Sequence, residues 1–557
     1  MNNRLAYSDY LVFVIYFIIV ASYGYWIYLK RKTREHDSKA FFLAEGSLTW
    51  WAIGASLIAS NISAEQFIGM SGNGYFVGIA VSAYEWIAAL ALIVIAVWFM
   101  PIYLKNHIYT MPQFLKTRYN ETVALIMAIF WLFLYVFVNL TSILYLGAIA
   151  INGLLPGQSY LHVVMIGLAI FAIIITLGGM KVIGYTDVIQ VSVLIIGGLA
   201  TAYMALNKVS GGNGPLAGFN TLIKEAPDHF HMILAKPDQS SPQQYIDKYL
   251  ILPGILMYAG GQWITNLNYW GCNQYITQRA LGASLPTARN GLLFASFLKL
   301  LMPVIVMLPG IAAYVLIKQG QLQPLGRMDD AYASVLNFLP NGLKGLSIAA
   351  LTAAIVASLA GKANSISTIF TLDIYKKYIR TDASEARMVW TGRFVVLCAM
   401  VMAIAFTWED LLGIGGTGGF TYIQKYTGFI SPGVFAMFFL GMFWKRTTGL
   451  AAVVGLLTGV SLCIFFNEFA PQVFGNETFL YTAYPNGKGG FEIPFLIAMG
   501  ISFALTVIVM AVISLAGPKV SPNAFILDKT MFKLRPSNIA LIVVVLLILF
   551  ALYIKFW

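Results

Sequence analysis

Charge is what this chain lacks most. Of its 557 residues only 10% are Asp, Glu, Lys or Arg, while 59% are hydrophobic, and the mean hydropathy is +0.76. Ordinary soluble domains cannot keep such a surface in water, so they are excluded and a polytopic membrane protein is implied. Cysteine is nearly as scarce. Cys272, Cys398 and Cys463 each lie in or beside an apolar run without paired spacing, which excludes a disulfide framework and a zinc pattern. The histidines, His36, His107, His162, His229 and His231, all fall in loops or at the ends of apolar stretches. No metal motif and no nucleophile with a base remains at membrane depth, so an enzyme is not expected. The net charge of +12 would suggest nucleic acid in a soluble protein. Here the basic residues alternate between loops, and no nucleic-acid partner is implied.

What is present is a series of apolar windows, each long enough at 1.5 Å per residue to cross about 30 Å of hydrocarbon. They cover 8–29, 49–75, 79–104, 122–151, 160–178, 183–206 and 251–275, then 290–317, 345–370, 389–409, 417–443, 447–468, 492–516 and 538–556. The expectation is an all-α polytopic protein of about 14 transmembrane helices in one domain, 1–557. An even number of spans puts both termini on one side. Lys and Arg are concentrated in the loops opened by Lys30-Arg31-Lys32 and continued by Lys116 and Arg118, Arg279 and Arg289, Lys376 and Lys377, and Lys445 and Arg446. That side is cytoplasmic by the positive-inside rule, so both termini face out. The first span, flanked by KRKTR and followed by no A-x-A site, is expected to remain as an anchor. The long loops 207–250 and 469–491 carry no motif and are expected to act as caps.

Two spans are interrupted by polar residues. The second holds Asn61-Ile62-Ser63 with Glu65 and Gln66, and the seventh holds Asn266-Leu267-Asn268-Tyr269-Trp270-Gly271. Unpaired polar groups in hydrocarbon cost several kcal/mol each, so such a segment must be buried in protein or wrapped around something wet. One asparagine such as Asn61 or Asn268 could simply bridge helices, but a cluster that includes a carboxylate points to a binding site. Broken helices at corresponding places in two halves are the sequence mark of an inverted-repeat transporter. Repeat one is expected at 49–206 and repeat two at 250–443, with 8–29 and 447–556 peripheral.

The stretches FFLAEGSLTWWAIGASLIASNISAEQFIGMSGNGY, SAYEWI, FVNLTSILYLG, YTDVIQV, NYWGCNQYITQR, FLKLLMPVIVMLPGIAAYV, NSISTIFTLDIYKKYI and YIQKYTGFISPG resemble the sodium/solute symporter family, within it the bacterial sodium/glucose (galactose) branch. The likeness extends over almost the whole chain, loops excepted. It implies a LeuT-type core of 5+5 inverted repeats with four added helices, working by alternating access. It also implies a sugar site of Gln66, Glu85, Asn139, Lys299 and Gln424, with Asn61 and Asn266 as further polar contacts. Sugar hydroxyls both donate and accept, and that set supplies both roles. Tyr269 corresponds to an inner gate, and Met70, Tyr84 and Phe420 to an outer one. The sodium ion would be held by carbonyls near Ala59, Ile62 and Ala354 and by hydroxyls at positions 357 and 358, with Asp187 on the exit path.

Two departures from the family pattern stand out. Ala88 replaces a serine expected shortly after Glu85, removing one hydrogen bond worth about 0.5 to 1.5 kcal/mol. In the ion site an expected pair of serines reads Ala357-Ser358, and Lys362 follows one turn later on the same helix face, where the family is usually apolar. Lysine there either snorkels toward the cytoplasm or stands in for the ion. The expected function is import of a monosaccharide, galactose or glucose, with Na+ as co-transported ion and no organic cofactor. The alternatives are a myo-inositol or other polyol symporter, and a proton-coupled or Na+-independent carrier using Lys362. The expected setting is the inner cell membrane, as a monomer or homodimer.

Overall fold

Backbone groups cannot stay unpaired in hydrocarbon, so a chain this apolar must close its hydrogen bonds within helices. The computed structural model, which describes residues 5–29, 41–42, 48–152, 160–238, 240–409 and 419–557, is mostly helical, with one antiparallel hairpin, Tyr484–Pro485 paired with Phe491–Glu492. Among the described residues ten helices are long and apolar enough to span a bilayer, from Tyr7–Leu29 to Pro536–Phe556. Two further expected spans are shorter apolar helices, Leu161–Leu177 and Ser431–Phe443.

The second and seventh spans are broken, as expected, but only the first break falls where the sequence put it. The helix Trp50–Asn61 ends at Ile62, whose backbone is extended, and a π-helical turn Glu65–Met70 then leads into Ser71–Phe76. In the seventh span, Asn266 to Gly271 lie inside a continuous helix, Gly261–Gly271, and the interruptions flank it at Gly260 and Cys272. The asparagines are accommodated locally. Asn266 Nδ2 donates to the Gln262 carbonyl one turn back at 2.9 Å, and Asn268 Nδ2 donates to Ser431 Oγ at 3.2 Å.

The chain divides into two compact units, each assembled from three separated stretches. The first comprises Met1–Gly78, Leu125–His229 and Gln274–Phe420, and the second Ile79–Ala124, Phe230–Asn273 and Thr421–Trp557. In the first, the helix Trp50–Asn61 packs against Leu285–Val306 and Gly179–Val209, and the latter packs against Leu343–Thr368. Small residues permit the closest of these approaches. A Cβ on Gly54 would lie 2.8 Å from the Gly291 carbonyl oxygen, and one on Gly291 2.7 Å from the Ile53 side chain.

Among the described residues, three basic residues counted with the cytoplasmic loops, Arg118, Arg279 and Arg289, are buried instead. In the second unit, Arg118 is fully buried. Its Nε donates to the Gly441 carbonyl at 2.6 Å and its Nη2 to that of Trp444 at 3.0 Å. A guanidinium there satisfies the last carbonyls of Ser431–Phe443 and complements the helix dipole. Arg279, in the first unit, is buried for a different reason, given below.

Candidate functional site

The helix break is held open by Ser63 and Gln66. The Ser63 N–H, which in a continuing helix would bond back to Ala59, donates to Gln66 Oε1 at 2.9 Å, and Ser63 Oγ reaches the same oxygen at 3.0 Å. The Glu65 N–H donates to Ser63 Oγ at 3.2 Å. This is a capping box, Ser-x-x-Gln, starting a new helical turn within membrane depth. It leaves the carbonyls at the end of Trp50–Asn61 without their intrahelical donors. One of them is met from outside: Ser358 Oγ donates to the Ser60 carbonyl at 2.7 Å, and Tyr275 Oη approaches the same oxygen at 3.4 Å. Ala59, Ile62, Ala354 and Ala357 are buried in the same unit. Backbone and hydroxyl oxygens of this kind suit a hard monovalent cation.

Beside the break, Lys299 Nζ donates to Asn61 Oδ1. Both side chains are buried, Lys299 with only 1% exposure. Two residues expected to meet a sugar thus meet each other. Gln66, its oxygen engaged in the capping box, retains its amide N–H groups as donors. Asn139 is buried in a second π-helical turn, Leu134–Leu140, a distortion frequent at functional positions. Met70 is buried at the end of the first π turn.

The second unit carries the other expected residues. Glu85, 3% exposed, and Tyr84 open the helix Ala83–Val94, and Asn266 and Tyr269 lie on Gly261–Gly271. The Tyr269 ring is 5.3 Å from that of Trp270 in an edge contact. Gln424 is half-buried on Gly419–Gly428. Phe420, the last residue of the first unit, lies in the first turn of that helix, but its side chain lies outside the described residues.

Asp187 is fully buried on Gly179–Val209, with Ser56 Oγ donating to its Oδ2. Arg279 Nη2 stands 3.7 Å from the same oxygen, while its Nε donates to Ser56 Oγ at 2.8 Å. This pairing explains the burial of Arg279, since a carboxylate taken out of water needs both a counter-charge and hydrogen bonds. One turn beyond Ser358, Lys362 is buried, with its Nζ 5.1 Å from the centre of the Tyr275 ring and within electrostatic reach of Glu65. It is therefore held inside the protein and does not snorkel to the surface.

This broken-helix architecture has counterparts. The family model described as the Sodium:solute symporter family matches residues 41–459. The chain belongs to the sodium:solute symporter family. It is 42% identical to a sodium/glucose cotransporter of Vibrio parahaemolyticus over 99% of both chains. It is also 34% identical to human sodium/myo-inositol cotransporter 2, over 82% of this chain and 69% of that protein. Mouse sodium/glucose cotransporter 1 is 32% identical, over 83% and 72%. A substrate-bound, outward-open Na+-coupled sialic acid symporter has the same fold, with a TM-score of 0.75 at 20% identity over 93% of this chain and 99% of that one.

Family membership makes the chain a transporter and not an enzyme. Sequence reasoning about this symporter missed several residues that the folded chain brings to the break: Ser56, Ser60, Tyr275 and Arg279. Their signals were modest but present. Ser56 and Ser60 share a helix face at a spacing of four, as do Tyr275 and Arg279, and Ser63 with Gln66 spells a capping box.

Proposed function

We propose that the chain is a secondary active symporter that imports a monosaccharide, galactose or glucose, together with Na+. The observation that carries this reading is the interrupted helix itself. One carbonyl freed by the Ser63–Gln66 capping box, that of Ser60, accepts from Ser358 Oγ, and the same interruption bears the Asn61–Lys299 pair. Cation ligands and sugar-reading groups thus share one stretch of backbone, so binding of the ion stiffens the segment that presents donors and acceptors to the sugar. Support from outside the chain comes from its 42% identity with a sodium/glucose cotransporter over nearly all its length.

In this reading Gln66, Glu85, Asn139, Lys299 and Gln424 read the sugar hydroxyls, with Asn61 and Asn266 as secondary contacts. Tyr269 closes the inner side, and Met70, Tyr84 and Phe420 the outer. Sodium takes the carbonyls near Ala59, Ile62 and Ala354 and the Ser358 hydroxyl, with the methyl of Ala357 contributing nothing, and Asp187 lies on its way out. Each sodium ion entering gains about 2.3 kcal/mol per 100 mV of membrane potential. The chain then has fourteen spans with inverted repeats at 49–206 and 250–443, and both termini on the outer face of the cell membrane. It works as a monomer or homodimer.

A second reading is favoured by Lys362, whose ammonium lies near Glu65 and over Tyr275 and so has a position ready beside the break. There it serves as a built-in cation, and sugar transport depends little on sodium. Uptake of labelled galactose, glucose and myo-inositol into proteoliposomes separates the readings. A sodium gradient that drives galactose or glucose uptake, where potassium and proton gradients do not, supports sodium symport. Uptake indifferent to sodium supports Lys362, and uptake of neither hexose overturns the substrate.

A further inference from the structure

The first unit contains an apolar cavity of about 340 Å³, walled by the inner end of Tyr7–Leu29, the end of Leu161–Leu177 and the start of Gly179–Val209. Its lining includes Ala21, Tyr25, Phe171, Ile174 and Val182, and one charged residue, Arg393. Tyr25 and Ile174 are more than half exposed, so the cavity opens on the apolar outer surface. That surface faces lipid in any membrane protein of this kind.

Arg393 is the anomaly. It belongs to the helix Glu385–Thr407, two turns from its start, and is half-buried. Its Cζ lies 5.7 Å from the Phe41 ring, which backs the guanidinium on one face. Among the described residues it forms no ion pair, and its buried Nε has no hydrogen-bond partner. A buried guanidinium nitrogen without an acceptor is costly, and a planar fork of donors matches the oxygens of a phosphate. Lys181, adjacent in sequence to the wall residue Val182, adds positive charge on that side, where the basic residues of the sequence are concentrated. A cation at one end of an apolar cleft between transmembrane helices has the chemistry of a lipid headgroup and its chain.

We propose that this cavity binds one anionic phospholipid of the surrounding bilayer, with its phosphate on Arg393 and an acyl chain along the wall formed by Ala21, Phe171 and Ile174. The test is native mass spectrometry of the full-length protein in detergent. Phosphatidylglycerol and phosphatidylcholine of matched chains are added in equal amount. One phosphatidylglycerol should survive activation that strips phosphatidylcholine. Arg393→Gln should reduce the preference about fivefold, the effect of a single interfacial charge, whereas Arg393→Lys should retain most of it. Equal retention of the two lipids by the unaltered protein, or an unchanged preference in Arg393→Gln, overturns the proposal. Should Arg393→Gln not fold, Ala21→Phe, which fills the cleft and keeps the arginine, should release the lipid. Undiminished retention in that variant likewise overturns it.

Discussion

Asp187 and Arg279 approach to 3.7 Å with both side chains about 1% exposed, and Ser56 bonds to each of them. Breaking a buried pair leaves an uncompensated charge, at a cost of about 3 to 5 kcal/mol. Arg279→Ala should therefore lower the thermal midpoint of the purified protein markedly. The double variant Asp187→Asn with Arg279→Met should recover much of the loss. Equal midpoints for the single and double variants would show that charge compensation is not the cause.

A second carboxylate acts on the same unit. Asp9 Oδ1, near the start of Tyr7–Leu29, accepts from the N–H groups of Gly342 at 2.7 Å and Gly345 at 2.9 Å. It thereby caps the helix that carries Ser358 and Lys362, as an acidic group at a helix N-terminus should. Asp9→Ala should cost about 1 kcal/mol, read as a small fall in thermal midpoint, while the half-saturating sugar concentration stays unchanged.

Removing Glu85 or Lys299 should abolish sugar uptake while leaving the protein folded in the membrane. Uptake by the Glu85→Ala and Lys299→Ala variants, compared with their surface amount and gel-filtration profile, checks this. Near-normal uptake by either one would remove that residue from the sugar site.

Ser63→Ala deletes one arm of the capping box and loosens Gln66. A net hydrogen bond is worth about 0.5 to 1.5 kcal/mol, so the half-saturating sugar concentration should rise by about tenfold or less. Initial-rate uptake across sugar concentrations measures it, and an unaltered value would detach Gln66 from substrate.

Lys362→Met combined with Ala357→Ser exchanges a fixed ammonium for a hydroxyl ligand. If lysine substitutes for the ion, sugar uptake should become more steeply dependent on sodium. A sodium titration of uptake in the double variant, superimposed on that of the unaltered protein, would end the surrogate idea.

The helices were legible because hydrocarbon leaves the backbone no alternative to internal pairing, so apolar length alone reports them. The first break was legible for the same reason, since Asn61, Ser63 and Glu65 are polar where polarity is expensive. The second was misplaced. Asn266 and Asn268 look like an interruption in sequence, yet one bonds back to its own helix and the other to Ser431. Composition cannot distinguish a polar residue that breaks a helix from one whose side chain is satisfied within it.

Partnership is where the sequence ran out. By itself it determined that the chain is a membrane protein, where the helices run, and which polar residues have to be explained. Only the tertiary structure decided that Lys299 meets Asn61, that Arg279 leaves the loop class to meet Asp187, and that Ser358 reaches the Ser60 carbonyl. A buried charge costs energy wherever it lies in the chain, so its presence can be read locally. What compensates it is set by contacts between residues far apart in the chain, 336 positions for Asp9 and Gly345, and those exist only once the helices have packed.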